Sequence, residues 1–506
     1  MSSLVYTPLE DIPKIHDTAR RAFLSGRAKS IEFRKQQIAQ VAYLVKDNEQ
    51  RFKDALKADL GRPYLETEFF DFGIVYAESR AAYDKIEKWT KEQAPEFSAN
   101  WFLMKPRLKP EPKGVVVLIA PFNYPLFLLL VPLISAIAGG NAAVLKPPEH
   151  TPAFSALLGE LVPKYLDPEL YHVINGAIPE TTKMLELQWD HIMYIGNAHV
   201  GRVIAEAAAK HLTPLTLELG GKNPVVVDPK VDMKMAARRV LWGRVSNAGQ
   251  ICLAPEYVLI PEEAQEAFVA ACREVNQSFF PEGAKNSESF GRIVTEAHAA
   301  RIKRLIDGTK GTIEFGGEVD VAERYVAPTL VSNVRADDSL MEIFGPVLAV
   351  VPVKDVHEAI AFINSRDYPL GIYIFSHDKK FQKTVTEHTQ SGSVMINDTL
   401  IAVGAPGLPV GGKGAGGYGY YTGKFGFDQF VHMRISLISP PWFDTVAFWF
   451  RFPPYTSEGA KKARSLETPL PPRPGSSTSS PATWAILGAA VVAGASFMTL
   501  RSLDRL

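Results

Sequence analysis

Residues 114–145 carry no charged side chain, and this stretch restricts the possible folds more than any other part of the sequence. It is long enough to cross a bilayer, for which about 20 apolar residues suffice. However, prolines at positions 121, 125 and 132 interrupt it, and each proline removes a backbone hydrogen-bond donor. The stretch therefore predicts buried elements of a globular protein and not a membrane span.

Three buried elements follow from the residue types in this stretch. Val115–Ile119 is a continuous apolar run, typical of a parallel strand that is covered on both faces. Leu126–Ala138 predicts a buried helix, which the glycine pair Gly139 and Gly140 would end. Ala142–Lys146 predicts a second strand, and the residues between the first strand and the helix form a loop.

Short apolar runs alternate with helical patterns along most of the chain after a helical first hundred residues. This alternation predicts an α/β fold with a parallel sheet. The helices that we predict are Lys29–Leu60, Glu66–Lys91, Ser155–Tyr165, Pro179–Leu187, Met233–Val245 and Glu262–Phe279. The further strands are His172–Ile174, His191–Tyr194, Pro224–Val227, Tyr257–Ile260, Leu348–Val353 and Ile372–Phe375.

Composition excludes several classes of protein. The chain has 55 basic and 55 acidic residues, whereas a protein that mainly holds nucleic acid needs a basic excess, so we expect no nucleic-acid partner. Its two cysteines, Cys252 and Cys272, exclude a disulfide framework and a four-cysteine zinc site. The histidines form no metal-binding motif, so no metal is expected. The acidic first residues are unlike a secretory signal, which indicates a reducing compartment.

A glycine-rich segment matches two nucleotide-binding motifs in spacing but not in context. Gly412, Gly414 and Gly417 fit the dinucleotide fingerprint, which should follow a strand and open a helix. The glycines that follow oppose a helix. Residues 407–413 resemble a phosphate-binding loop, but a glycine stands where that loop needs Ser or Thr. We therefore expect a surface segment near a site or a subunit contact.

Three short segments hold candidate catalytic side chains, each with an ordinary structural alternative. Cys252, in NAGQICLAP, is a potential nucleophile or a small buried hydrophobe. Glu218, in TLELGGKNP, lies between leucines that would raise its pKa toward that of a general base, unless it is solvated at a strand end. Asn123, in APFNYP, suits either an oxyanion donor or a turn cap.

Together these segments resemble the aldehyde dehydrogenase superfamily. The resemblance rests on APFNYP, GNAAVLKPPE, LTLELGGKNP, GQICLAP and EIFGPVLAVV, in the order of the family, and covers about residues 10–438. The chain is most similar to the class 3, or fatty aldehyde, branch, because of its short N-terminal region, the segments AAAKHLTPLTLELGGK and GNAHVG, and the C-terminal tail. Ile251 departs from the family, which has Thr before the nucleophile.

The resemblance implies an NAD-dependent oxidation of an aldehyde to a carboxylic acid. Cys252 would add to the carbonyl as a thiolate and form a thiohemiacetal. The Asn123 amide and the backbone N–H of Cys252 would stabilise its oxyanion, and transfer of hydride to the nicotinamide would leave a thioester. Glu218 would activate the water that hydrolyses this thioester.

The resemblance also implies a set of cofactor contacts. Lys146 and Glu149 would hold the adenosine ribose, and the carboxylate would favour NAD over NADP, although NADP stays possible. Gly196, Asn197 and Gly201 would lie at a helix N-terminus near the pyrophosphate. The nicotinamide and its ribose would contact Glu342 and Phe344. Alternatively, Glu342 is a solvated loop residue.

The fold expected from the resemblance has three parts and a tail. A Rossmann-type cofactor domain would take residues 1–90 and 114–217, and an α/β catalytic domain residues 218–400. A bridging β element, residues 91–113 and 401–438, would pair across a homodimer. The residues themselves predict an aromatic segment, 439–464, a Pro- and Ser-rich linker, 465–481, and an uncharged helix, 482–500, that would anchor the chain in a membrane. The alternative for residues 482–500 is a buried or surface helix.

The function expected is the oxidation of medium- and long-chain aliphatic aldehydes by a tail-anchored enzyme that faces the cytosol. The membrane would be the endoplasmic reticulum, the mitochondrial outer membrane, the peroxisome or the lipid droplet. An aromatic aldehyde or semialdehyde dehydrogenase on the same fold is the alternative. A non-catalytic membrane-anchored scaffold is a remote one, because Cys252 and Glu218 are both present.

Overall fold

The computed structural model describes residues 4–341, 343–468 and 470–474. Within these residues the chain forms two compact units. The first contains the residues up to Gln93 together with Arg107–Ser436, and the second contains Ala94–Pro106 and the residues from Leu437 onward.

The strands and helices are numbered in chain order. The strands are β1 (Arg107–Pro112), β2 (Val115–Ile119), β3 (Ala142–Lys146), β4 (Tyr171–Val173), β5 (His191–Gly196), β6 (Leu215–Leu219), β7 (Asn223–Val227), β8 (Pro255–Pro261), β9 (Thr312–Phe315), β10 (Val319–Asp320), β11 (Tyr325–Val326), β12 (Thr329–Ser332), β13 (Val347–Val353), β14 (Gly371–Phe375), β15 (Ser393–Ile396), β16 (Gly417–Tyr418) and β17 (Val431–Ser436). The helices are α1 (Ile12–Leu24), α2 (Ile31–Lys46), α3 (Glu49–Leu60), α4 (Tyr64–Glu66), α5 (Gly73–Thr90), α6 (Phe127–Gly139), α7 (Pro152–Tyr165), α8 (Ile178–Leu185), α9 (Ala198–Ala209), α10 (Met233–Val245), α11 (Glu262–Phe279), α12 (Glu296–Gly308), α13 (Val356–Asn364), α14 (Lys379–His388), α15 (Gly423–Gln429), α16 (Phe443–Val446) and α17 (Ser457–Arg464).

The first sheet has the strand order β16-β6-β5-β2-β3-β4. Its strands are parallel except β16, which runs antiparallel to β6. The chain passes from β2 to β3 and β4 on one side and then returns to β5 on the other side of β2. In open α/β sheets a ligand binds at the carboxyl ends of the strands where the order reverses in this way. The loops that follow β2 and β5 therefore mark a binding position.

The second sheet has the order β15-β14-β7-β8-β13-β12-β9 and is parallel except for β9. Helix α10 and the turn that contains Cys252 connect β7 to β8. The two sheets confirm the α/β fold with Rossmann-type sheets that the sequence predicts. The predicted boundaries between cofactor, catalytic and bridging domains stay a prediction.

The three buried elements predicted within residues 114–145 are confirmed. Strands β2 and β3 have the predicted bounds, and every residue of both strands is buried. Helix α6 is buried along its whole length, because α2 and α5 cover it on one side and the sheet on the other. Its C-cap is Gly140 at φ +86°, a backbone conformation that favours glycine.

The predicted helices of the first hundred residues need two corrections. The span Lys29–Leu60 is two helices, α2 and α3, because Asp47 and Asn48 close one helix and open the next. The span Glu66–Lys91 opens with a π-helical segment, Thr67–Phe72, before α5. Residues of this segment belong to the candidate active site.

The second unit contains the aromatic segment predicted from the sequence. Phe443 is buried and stacks on Phe448 at a centroid distance of 4.9 Å, and Phe448 packs against Trp101 at 5.4 Å. In the part of the chain that the structure covers, no helix combines the length and apolar character that crossing a bilayer requires. The predicted membrane helix, residues 482–500, lies outside the described residues.

Candidate active site

Asn123 lies in the loop after β2, at the position where the strand order reverses. The residue is 2% exposed, and its backbone carbonyl accepts hydrogen bonds from the guanidinium of Arg62 and from the Asn247 side chain, the latter at 2.9 Å. Within the described residues, its side-chain amide has no hydrogen-bond partner. An amide on a fixed backbone with its own donors unused is suited to bind a developing oxyanion.

Cys252 lies on the turn between α10 and β8. The preceding residues Asn247, Ala248 and Gly249 have φ values of +49°, +51° and +73°, so three consecutive residues are left-handed. The turn is tied to β7 because the Asn223 amide donates to the Cys252 carbonyl at 2.8 Å. Cys252 is partly exposed, whereas Cys272 is fully buried in α11 and cannot meet a substrate.

The resting thiol of Cys252 is protonated at neutral pH. Burial raises its pKa to about 12, and the Glu218 carboxylate contributes to the same direction. The backbone N–H groups of Cys252 and Leu253 point at the sulfur and act in the opposite sense. The site therefore holds donors for an anionic sulfur, but the thiolate forms only when its proton has an acceptor.

Glu218 lies near the carboxyl end of β6 and is 4% exposed, which excludes the solvated alternative. Burial raises the pKa of this carboxyl well above its usual range, and the Gly412 backbone N–H opposes the shift only in part. Its Oε1 atom has no hydrogen-bond partner among the described residues. A buried carboxyl with an unused oxygen and a raised pKa has the properties of a general base.

The glycine-rich segment covers Glu218. Gly417 pairs with Glu218 in the register of β16 and β6, and a Cβ on Gly411 would lie 3.0 Å from the Glu218 Oε1 atom. The segment is thus neither a dinucleotide fingerprint nor a phosphate loop. Its glycines permit a backbone to approach the carboxylate closely.

The structure brings the three predicted catalytic residues into one site. The Asn247 amide bonds to the loop of Asn123 and lies on the turn of Cys252, and Cys252 and Glu218 interact electrostatically. Asn247 belongs to the cysteine segment NAGQICLAP, but nothing in that segment indicates its contact with Asn123.

Apolar and aromatic side chains surround the sulfur. Cys252 packs in a cluster whose members are uncharged, namely Phe70, Trp242, Ile251, Leu253, Leu370, Leu400 and Val403. Phe70 stacks on Trp242 with ring centroids 5.9 Å apart and contacts Tyr124 at 5.6 Å. This cluster offers a substrate apolar contacts next to the nucleophile.

The predicted ribose contacts Lys146 and Glu149 form an ion pair at the carboxyl end of β3. The Lys146 ammonium is 3% exposed and donates to Glu149 at 3.1 Å and to the Pro147 carbonyl at 3.0 Å. Burial raises the pKa of Glu149, but the charge and hydrogen bond of Lys146, the backbone N–H of Glu149 and the charge of His150 together make the net shift downward. The carboxylate is therefore ionised at neutral pH and can accept bonds from ribose hydroxyls, which fits a dinucleotide.

The segment after β5 opens a helix, as the resemblance implied. Asn197 is the N-cap of α9, and its side chain accepts from the Val200 N–H at 2.9 Å. A Cβ on Gly201 would lie 2.9 Å from Leu219, so glycine lets α9 pack closely on β6. Gly196 ends β5 against the Tyr194 ring, where a side chain would clash. A helix N-terminus that follows a strand at the reversal of the strand order suits a pyrophosphate.

Phe344 has a left-handed backbone, φ +52°, and packs against Phe122 at a centroid distance of 6.1 Å. Its loop is held by Glu256, which accepts the Ile343 N–H at 2.8 Å. Phe344 therefore lies beside the loop of Asn123. Glu342, the other predicted contact in this segment, lies outside the described residues.

Sequence reasoning missed several side chains of the site. Arg62 is 0% exposed and bonds to the Asn123 loop, yet its neighbours in the sequence form no motif. Tyr124 and Tyr421 both interact electrostatically with Cys252, and burial raises the pKa of each phenol. Of these side chains, only Tyr124 could have been placed at the site from the sequence, because it follows Asn123 directly.

Comparison with known proteins places the chain in a family. The family model described as the aldehyde dehydrogenase family matches residues 5–435. Aldehyde dehydrogenase family 3 member A2 of Rattus norvegicus is 42% identical over 83% of this chain and 87% of its own length. The dimeric NADP-preferring aldehyde dehydrogenase of Canis lupus familiaris is 40% identical over 85% of this chain and 95% of its own length.

A solved structure shows the same fold over nearly its whole length. The substrate-bound state of Staphylococcus aureus AldH superimposes with a TM-score of 0.86 at 35% identity, covering 90% of this chain and 99% of that one. The family model, the relatives and the solved structure indicate the same family. The chain therefore belongs to the aldehyde dehydrogenase family and is an NAD(P)-dependent aldehyde dehydrogenase.

Proposed function

We propose that this enzyme oxidises medium- and long-chain aliphatic aldehydes to carboxylic acids, with Cys252 as the nucleophile. The observation that carries the proposal is the apolar cluster in which Phe70, Ile251 and Leu400 pack with Cys252. Burying an alkyl chain against such side chains yields about 0.8 kcal/mol per methylene.

The first step is attack of the Cys252 sulfur on the carbonyl carbon. The thiol must lose a proton, and Glu218 is the nearby carboxylate. An ionised Glu218 raises the pKa of Cys252 because its negative charge disfavours a thiolate. When the thiol proton moves to Glu218, the thiolate forms and the negative charge of the carboxylate is lost in the same step. The backbone N–H groups of Cys252 and Leu253 then stabilise the anionic sulfur.

The oxygen of the aldehyde becomes an oxyanion as the sulfur–carbon bond forms. The Asn123 amide, whose backbone is fixed from two sides, and the Cys252 N–H donate to it. Bound NAD(P) supplies the acceptor for the hydride that leaves the carbon. Glu218 releases the thiol proton to solvent and then takes a proton from water. The resulting hydroxide attacks the thioester, the electron pair of the breaking sulfur–carbon bond returns to the Cys252 sulfur, and the carboxylic acid leaves.

The residues that would hold the cofactor are those at the carboxyl ends of β3 and β5. Glu149 would accept from a ribose hydroxyl and repel a 2′-phosphate, which favours NAD over NADP. The N-terminus of α9, at Asn197, would face the pyrophosphate, and Gly196 and Gly201 keep that region free of side chains. Phe344 would contact the nicotinamide.

An aromatic aldehyde is the second candidate substrate. The Phe70 and Trp242 rings stack, with Tyr124 against Phe70, and an aryl group gains from offset or edge contacts with such rings. This observation favours the aromatic candidate over the acidic one.

An aldehyde panel with NAD and with NADP tests the function. We expect the kcat/KM for hexadecanal and for octanal to exceed that for benzaldehyde and for an acidic semialdehyde of similar length, and Cys252→Ser to form no NADH. A kcat/KM that is greatest for benzaldehyde would favour the second candidate. Turnover by Cys252→Ser at the rate of the unchanged enzyme would remove the proposed nucleophile.

A homodimer is proposed from two exposed apolar elements of the first unit. Strand β15 ends the second sheet, and its Val394 and Ile396 are exposed. The ribbon of β1 and β17 exposes Ile435. An edge strand with apolar side chains is a template for pairing, so the ribbon of one copy would cover the edge of the other. Light scattering should give twice the chain mass, and Ile435→Glu should give a monomer.

A membrane location is proposed from the tail sequence alone. Residues 482–500 are uncharged and follow a Pro- and Ser-rich linker, which would place the enzyme on the cytosolic face of an internal membrane. Deletion of residues 465–506 should move the protein from the membrane pellet to the supernatant. Continued pelleting of the deleted protein would contradict the anchor, and microscopy of the full chain would identify the organelle.

A further inference from the structure

A buried arginine joins the two loops that carry the proposed oxyanion donor and the nucleophile. Arg62 follows α3, and its side chain is completely buried. Its guanidinium donates to the Asn123 backbone carbonyl, and through Nε and Nη2 to the Asn247 Oδ1 atom at 3.2 and 3.0 Å. One side chain thus holds both the loop after β2 and the turn before Cys252.

The third partner of Arg62 fixes the guanidinium itself. Asp71, in the π-helical segment, accepts from Arg62 Nη1 at 2.6 Å and is also completely buried. Its other oxygen accepts the Phe127 N–H at 3.0 Å, in the first turn of α6. The guanidinium also lies over the Tyr124 ring, 4.3 Å from its centroid. The planar fork of arginine therefore has a single orientation.

Asn247 completes the arrangement. While its Oδ1 accepts from Arg62, its Nδ2 donates to the same Asn123 carbonyl at 2.9 Å, and its backbone N–H donates to Glu66 at 2.9 Å. These bonds stabilise the left-handed backbone of Asn247, φ +49°. With the bond from Arg62, they also give the backbone carbonyl of Asn123 two donors, one for each lone pair. The Asn123 side-chain amide is left for a ligand.

We propose that Arg62 is a positioning residue, which sets the Asn123 amide relative to Cys252 through the Asn123 carbonyl and Asn247. The proposal rests on the proposed role of Asn123 as oxyanion donor. Lysine cannot reproduce a planar fork with three separate acceptors, so Arg62→Lys keeps the charge but releases the loop. A donor displaced by about 1 Å can cost about 100-fold in rate.

A double-mutant cycle tests this proposal. We expect Asn123→Ala to lower kcat about 100-fold and Arg62→Lys about 10- to 100-fold, with little change in the KM for NAD. In the Asn123→Ala background, Arg62→Lys should lower kcat by less than about threefold, because the group that it positions is gone. A merely structural arginine would cost the same factor in both backgrounds.

Arg34 provides the matched control. It is also buried, and its guanidinium donates to the carbonyls of Ala28 and Ala138, which belong to neither loop. Arg34→Lys should lower the thermal midpoint of unfolding and should change kcat by the same factor in the unchanged enzyme and in Asn123→Ala. If Arg62→Lys does not fold, Asp71→Asn takes its place in the cycle, since it frees the guanidinium without changing its charge.

The outcomes separate the two proposals. Wild-type kcat in Asn123→Ala would refute the oxyanion donor and the positioning role together. A 100-fold loss in Asn123→Ala, with equal effects of Arg62→Lys in both backgrounds, would overturn only the role of Arg62. A coupling of about threefold or more, absent for Arg34→Lys, would support it.

Discussion

Gly249 is the position where the cysteine turn meets the loop of Phe344. Its φ is +73°, and a Cβ there would lie 2.6 Å from the Pro346 nitrogen and closer still to the Gly345 carbonyl oxygen. That carbonyl cannot retreat easily, because it accepts from the buried Arg244 guanidinium. Alanine at position 249 therefore meets two costs: a left-handed backbone and a clash with fixed main chain.

The two costs can be separated with a second glycine. Gly283 has a similar φ, +87°, but a Cβ there would meet nothing within 4 Å. The left-handed backbone costs an alanine about 1–2 kcal/mol at either position. Overpacking adds about 1–3 kcal/mol at Gly249 only. We therefore expect Gly249→Ala to lose about 1–3 kcal/mol more unfolding free energy than Gly283→Ala.

The assay is urea unfolding of both variants, with kcat and the KM for NAD measured alongside. Gly283→Ala should keep the activity of the unchanged enzyme, whereas Gly249→Ala should raise the KM for NAD, because the clash displaces the Phe344 loop. Equal destabilisation of the two variants, with normal kinetics for Gly249→Ala, would refute the argument that the two loops are in fixed contact.

Three further outcomes follow. Because burial raises the pKa of Glu218 and a base acts when deprotonated, kcat should rise with pH above the range in which an ordinary glutamate titrates, and Glu218→Gln should abolish steady-state turnover in the same assay. Glu149→Gln should raise kcat/KM for NADP relative to NAD, because the ionised carboxylate that would repel a 2′-phosphate is gone. Leu130→Ala, in the buried helix α6, should cost about 2–5 kcal/mol in urea unfolding, against about 0.5 kcal/mol or less for the exposed Leu24→Ala.

Much of the local structure could be predicted because it follows from residue type over short distances. The apolar run Val115–Ile119 admits little except a covered strand, and Gly140 ends the helix before β3. The catalytic candidates were also visible, because Cys252, Glu218 and Asn123 each lie in a segment with a family likeness. Local pattern did not show the break at Asp47 and Asn48 or the π-helical segment, since tertiary packing selects these details.

The environment of those candidates depends on the fold as a whole. Glu218 is buried because β16 returns to pair with β6, and Arg62 is buried because α3, the Asn123 loop and the Asn247 turn meet around it. The partners of Arg62 at these loops lie 61 and 185 residues away in sequence. The residue types and their local segments establish which groups can react. Their protonation, orientation and fixed backbones arise from contacts between distant segments, since desolvation and hydrogen bonding depend on what surrounds a group in space.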